Sequence, residues 1–207
     1  MPNWCNNTLE LSHEDPAMIT RAKAAFMEGK LLNEFHPLPE DLNIDDGQGG
    51  DPGSPEQELH EAKEQANKKK YGYKNWYDWC CNNWGTKWDV GSDGFDPIDA
   101  GPNKTCLTFD SAWAPPINAM EVFVELGFSV RLYYYEPGMA FAGIWEDGID
   151  AYYDISGMSS DAVEEELPEA LDEMFGISVG MAEWEQTEED EENIDIDLDG
   201  GLSATNE

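Results

Sequence analysis

Between Asn75 and Asp89 the chain reads NWYDWCCNNWGTKWD, a stretch that holds four of its eight tryptophans, Trp76, Trp79, Trp84 and Trp88. On a helix starting at Asn75, residues Trp76, Trp79, Cys80 and Asn83 share one face, while Tyr77, Cys81 and Trp84 share another. A helix that is apolar on two faces must be buried on more than one side, so the rest of the chain has to build a core around it. A base-stacking site would interleave its rings with Arg or Lys. Here the nearby bases, Lys74 and Lys87, are offset by Asp78 and Asp89. The four tryptophans are therefore expected to be structural, with Asn75, Asn82 and Asn83 as partners for their indole N–H groups.

Aromatic residues at 12% and hydrophobic residues at 40% suffice for such a core. The charge is the anomaly. Against 45 Asp+Glu stand 11 Lys+Arg, a formal net of -34 in 207 residues. The last base is Arg131, and residues 132–207 carry 23 of the acids. Such a chain should repel nucleic acid and anionic membrane and attract basic protein surfaces. No apolar run reaches membrane-span length, and MPNWCNN lacks the charged-then-apolar layout of a secretion signal. The expectation is a cytoplasmic protein, within a host cell, whose four cysteines are reduced and mostly buried.

Along the chain, WCNNTLEL reads as a first strand, with Cys5, Thr8 and Leu11 or their neighbours inward. Asp15-Pro16 opens a helix with the apolar stripe Met18, Ile19, Ala22, Ala25 and Phe26, stopped by Gly29. The two prolines of LLNEFHPLPEDL mark extended loop. Residues 43–72 read as an insertion, first Gly/Pro/Asp-rich and mobile, then a polar helix over 56–70 ending in Lys68, Lys69 and Lys70. A helix over 73–84 follows, then strands at 87–93, 105–113, 129–135 and 139–145, with a helix at 117–126 between the second and third. Two βαβ halves result. The expected fold is α+β, a ferredoxin-like sandwich over residues 1–154 with an antiparallel sheet and helices on one face. An acidic helical extension over 155–184 follows, starting at Ser160/Asp161 with a stripe of Val163, Leu167, Leu171 and Met174/Phe175, and broken at Pro168. Residues 185–207 read as a disordered acidic tail.

The segments PNWCNNTLEL, NWYDWCCNNWGTKWD, FDSAWAPP and YYEPGMAFAGIW together resemble a family of small phage and plasmid proteins with a YubB-type ferredoxin-like domain, across about residues 2–154. That resemblance implies the ferredoxin-like fold and carriage on mobile elements. It implies no enzymatic activity and no catalytic residues.

The residues agree with that absence. No GxSxG, HExxH, zinc-type Cys/His spacing, P-loop or GxGxxG occurs, and His13, His36 and His60 fall in loops or an exposed helix. No enzyme activity and no cofactor are expected. Asp195, Asp197 and Asp199 with Gly200 match the first half of a calcium loop, but the twelfth position is Asn206 and no helix follows, so no metal is expected there.

What remains is the acidity. Glu164, Glu165, Glu169, Asp172 and Glu173 could line one helical surface, with Glu188, Glu189 and Asp190 beyond it. Held carboxylates of this kind imitate DNA phosphates. The expected function is a DNA-mimicking inhibitor of host defence or DNA-handling proteins, whose partner is a host protein with a basic surface. Two alternatives stand beside it. One is an interaction module acting on host transcription or replication through the folded domain. The other is an RNA-binding sheet, favoured by Tyr133, Tyr134 and Tyr135 and by the lysine cluster.

Overall fold

The computed structural model describes residues 3–187. One compact unit runs to Tyr152 and a second begins at Tyr153. In the first unit, β1 (Trp4–Ser12) leads into α1 (Pro16–Met27), α2 (Leu31–Phe35), α3 (Pro55–Tyr71) and α4 (Trp76–Asn83). The short β2 (Ile98–Asp99), β3 (Lys104–Ala112), α5 (Ile117–Glu125), β4 (Ser129–Glu136), β5 (Phe141–Glu146) and β6 (Ile149–Asp154) follow, with the division between units inside β6. The six strands form one open sheet in the order β2-β3-β1-β4-β5-β6.

Strand β1 is antiparallel to both neighbours, pairing Leu9 with Leu107 on one side and with Leu132 on the other. Strands β3 and β4 thus run the same way on either side of β1, and α5 connects them. This is one split βαβ unit. The helices between β1 and β3 join antiparallel neighbours, so the second expected half does not form.

Alternation along the strands decides which face carries the core. Cys5, Asn7, Leu9 and Leu11 of β1 are buried, as are Leu107 and Phe109 of β3, Val130, Leu132 and Tyr134 of β4, and Trp145 of β5. Thr8 lies on the opposite face from the inward set. Against the core face pack Ile19, Ala22 and Phe26 of α1, Leu31, Leu32 and Phe35 of α2, Trp79 and Cys80 of α4, and Met120 and Phe123 of α5. Helix α1 starts as its residues dictate, the Asp15 carboxylate accepting from Ala17 N–H at 2.9 Å with Pro16 in the first turn.

Two expected segments change character for a shared reason. Residues 31–35 are helical rather than extended, and residues 87–93 do not form a strand. Helix α2 has no side-chain cap of its own at Lys30. The Asp89 carboxylate supplies one from a distance, accepting from Leu32 N–H at 2.7 Å and Asn33 N–H at 3.0 Å. Val90 O accepts from Leu31 N–H, and Ser92 N–H donates to Phe26 O. The backbone of 87–93 is therefore committed to the α1–α2 turn and is not available for a ladder.

The tight hairpin β5–β6, absent from the sequence reading, turns on Asp147-Gly148, whose φ angles of 44° and 99° are the pair of positive values a type I′ turn needs. Helix α3 is fastened by Asn67, which donates to Asp41 O at 2.8 Å and Lys74 O at 3.1 Å.

The second unit contains α6 (Ser160–Glu166), α7 (Glu169–Phe175) and a helix, α8, over residues 177–187. The cap of α6 is Ser159, one residue before the expected start, accepting from Ala162 N–H. Pro168 forces Leu167 into extended backbone and separates α6 from α7. Residues 185–187 continue α8, and Glu185 accepts from both N–H and Oγ of Ser160 at 2.9 and 2.6 Å. Val163, Leu167 and Leu171 are buried, whereas Met174 is exposed.

Candidate partner-binding surface

The tryptophan-rich stretch divides where its helix ends. Trp79 and Trp84 are buried and meet edge to face with centroids 5.6 Å apart, and His36 stands edge-on to Trp79 at 4.9 Å. These two are core residues. Trp88 is 41% exposed, and Trp76 is half-buried. Of the four, Trp88 lies outside the helix, because Gly85 turns the chain out of α4 and leaves residues 86–89 beyond it.

Trp88 joins two further tryptophans from distant elements. Trp4 (43% exposed) lies with its centroid 6.0 Å from that of Trp88, and Trp113 (42% exposed) follows β3. Lys87 sits beside Trp88 and Trp113, its Nζ 4.8 Å from the Trp88 ring centroid, 5.5 Å from Trp113, 5.4 Å from Tyr77 and 5.8 Å from Trp76. Each distance is within cation–π range.

Trp113 has a backbone φ of 69°, a left-handed conformation that a bulky side chain rarely adopts. It persists because its surroundings fix it. Trp113 N–H donates to Asn3 O at 2.9 Å, and Ser111 Oγ donates to Ala114 O at 2.8 Å. Ser111 in turn accepts from buried Asn7 at 2.8 Å. Backbone strain over-determined in this way concentrates at functional positions.

Beside these rings a cleft of about 230 Å³ is lined by Trp4, Trp88, Gly91, Asp93, Asp110 and Ala112. Gly91 has no room for a side chain, because a Cβ there would stand 2.4 Å from Gly29 Cα and 2.7 Å from Phe26 O. Asp110 Oδ1 accepts from Asn6 at 2.7 Å, which orients the carboxylate at the cleft.

Sequence reasoning placed the binding surface elsewhere. Of its acidic residues, Glu164, Glu165, Glu169 and Glu173 are exposed on α6 and α7. Asp172 is not part of that open set, since it accepts from the N–H and Oγ of Ser178 and caps α8. Glu188, Glu189 and Asp190, and the calcium-like Asp195, Asp197 and Asp199, lie outside the described residues. Among the described residues no group of three or more His, Cys, Asp or Glu could hold a metal ion. Burial pushes the thiols of Cys5 and Cys80 up to about 12, so neither is a thiolate at neutral pH.

Of the two further rings, Trp4 and Trp113, one was legible in part. Trp4 falls in the opposite phase to Cys5, Leu9 and Leu11, which points it away from the core helices. Trp113 carried no such signal, as its exposure follows from a positive φ that only the fold imposes.

No protein-family model matches the chain, and no curated protein matches it. A crystal structure of protein api92 from Yersinia pseudotuberculosis, of the DUF1281 family, aligns over 74% of this chain and 98% of that one, with 12% identity and a TM-score of 0.41. Among the described residues, no helix is long and apolar enough to cross a membrane.

Proposed function

We propose that this chain is a non-enzymatic binding protein that captures a partner protein with a basic surface, anchored by Trp4, Trp88 and Trp113. The observation that carries this reading is the exposure of three tryptophans, Trp88 and Trp113 beside Lys87 and Trp4 beside Trp88. Large rings left in water are costly unless something covers them, and buried aromatic anchors dominate the energetics of protein interfaces. The formal charge of -34 steers basic partners to the molecule and speeds their encounter.

A second reading favours the acidic unit. Glu164, Glu165, Glu169 and Glu173 are exposed, and no Lys or Arg occurs anywhere after Arg131. Carboxylates held on helices in the absence of bases support a DNA-mimicking inhibitor of host defence or DNA-handling proteins. Kinship with YubB-type phage and plasmid proteins, an origin on a mobile element and a place in the host cytoplasm belong to the same proposal. So does a ferredoxin-like lineage, supported by the split unit β3–α5–β4 around β1. The RNA-binding reading loses its main support. Tyr133 and Tyr134 are buried, and Tyr134 Oη donates to Asp150 at 2.8 Å, so these rings offer no stacking row.

The test is affinity capture from bacterial lysate with three full-length baits. These are the natural sequence, a Trp4→Ala/Trp88→Ala/Trp113→Ala variant, and a variant with Gln at Glu164, Glu165, Glu169 and Glu173. Loss of the captured protein with the tryptophan variant supports the anchor. Loss with the Gln variant, together with competition by duplex DNA, supports mimicry. Capture unchanged by the tryptophan variant would overturn the first reading.

A further inference from the structure

The cleft is lined by Trp4 and Trp88, whose rings are tilted 38° to each other, together with Asp93 and Asp110. The small residues Gly91 and Ala112 also line it, and no Lys or Arg does. A third carboxylate, Asp89, is already engaged by the amides of Leu32, Asn33 and Val90. Aromatic rings joined to carboxylates are complementary to a flat cation and poor for an anion or a neutral chain.

We propose that this cleft takes the guanidinium of an arginine from the partner protein, flat against Trp4 and Trp88 and hydrogen-bonded to Asp93 and Asp110. The inference rests on the protein-binding role proposed above and names the group that role recognises. Arginine fits better than lysine, because its planar, weakly hydrated fork can stack and donate two parallel hydrogen bonds at once, whereas an ammonium is a compact, strongly hydrated point charge. The volume of about 230 Å³ suits one side chain rather than a peptide backbone. Lys87, over Trp88 and outside the lining, shows that this ring already accepts a cation. The specificity of the site thus lies in the carboxylates, and its apolar contact lies in the two indoles.

The experiment titrates the full-length protein with acetyl-Gly-Arg-Gly-amide and reads the indole N–H NMR signals of Trp4 and Trp88, identified through Trp4→Phe and Trp88→Phe. A saturable shift of both signals is expected, with a dissociation constant on the order of 1 mM for a single unassisted side chain. The same peptide carrying citrulline, equal in shape and uncharged, should give no saturable shift. The Asp93→Asn/Asp110→Asn variant should bind at least about tenfold more weakly. That variant moves the formal charge only from -34 to -32, two carboxylates fewer, so its loss cannot come from bulk charge. Unaltered affinity in that variant, an equal shift by the citrulline peptide, or no shift at Trp4 and Trp88 would each overturn the inference. If the triple tryptophan variant loses its partner while the arginine peptide fails to seat, the binding surface stands and the occupant of the cleft is wrong. If the peptide seats and the triple variant keeps its partner, the cleft stands and the partner docks elsewhere.

Discussion

The indole N–H of Trp84 donates to the backbone carbonyl of His36 at 2.9 Å, tying the residue that ends α4 to the residue that ends α2. The ring is buried in the core and the bond partly so. Trp84→Phe keeps most of the bulk but strands a carbonyl, and a buried acceptor without a donor costs about 1–3 kcal/mol. Trp88→Phe, at the exposed end of the same motif, should cost less than about 0.5 kcal/mol. Urea unfolding of the two variants reads the difference. Equal losses would return Trp88 to the core and remove the anchor from the surface.

His36 gives the fold a pH dependence whose sign follows from its surroundings. Burial lowers its pKa from the ordinary value of 6.5, against an opposing pull from Glu125, and its Nδ1 is buried with no hydrogen-bond partner among the described residues. The unfolded chain therefore takes up the proton first as the pH falls. Stability from neutral His36 is fully present above the unfolded value and is lost as the pH falls through the lowered folded value. Burial raises the Asp89 carboxyl, which gives stability of the opposite slope at lower pH, so the comparison is made against a variant that keeps Asp89. Between about pH 7.5 and about pH 5.5, spanning the usual histidine range, His36→Phe should flatten the fall in urea midpoint seen for the natural chain. A fall of equal steepness in the variant would mean that another group carries it.

Gly91 lies where two backbones meet. A Cβ at this position would come within 2.9 Å of three backbone atoms of the α1–α2 turn, at Gly29 and Phe26, and none of them can rotate aside. Gly91→Ala should destabilise the chain by about 1–3 kcal/mol, the range for forced backbone shifts in a filled site. It should also disturb the indole signals of Trp4 and Trp88 across the cleft. Thermal unfolding and the NMR spectrum check both parts, and an unchanged melting temperature would show that the loop moves freely.

Much of the fold was legible where one local rule decided the outcome. Asp15-Pro16 announced α1, alternation announced β1, β3 and β4, and Pro168 announced the break between α6 and α7. What was hidden depended on distant partners. Asp89 caps α2 from more than fifty positions away in sequence, turning an expected strand into a loop and an expected loop into a helix. The pairing of β1 with β3 is equally non-local, and nothing near either strand states its direction. The binding surface was hidden for a similar reason. Trp4, Trp88 and Trp113 come from three separate segments, and only the fold brings Trp88 and Trp113 to Lys87 and Trp4 to Trp88. Charge could be counted from the sequence, but its division into capping carboxylates such as Asp172 and open ones such as Glu164 could not.

Trp113 offers a way to separate folding from binding at one residue. Its left-handed backbone is a cost of about 1–2 kcal/mol for a side chain with a Cβ, and glycine would relieve it. Against that gain stand the contacts of a ring that is already 42% exposed, to Tyr77 with centroids 6.4 Å apart and to Lys87 at 5.5 Å. Trp113→Gly should therefore leave folding stability within about 1 kcal/mol of the natural chain, since strain relief and lost ring contacts nearly offset each other. Capture of the partner should fall at least about tenfold, the usual loss for removing an aromatic anchor. Trp113→Phe, which keeps both strain and ring, should fall between the two in capture with little change in stability. A substitution that is neutral for folding and severe for binding is the signature of a side chain held in strain for contact with something else. The opposite pattern, a large stability loss with capture intact, would make the ring a structural wedge and leave its positive φ as a by-product of the turn after β3.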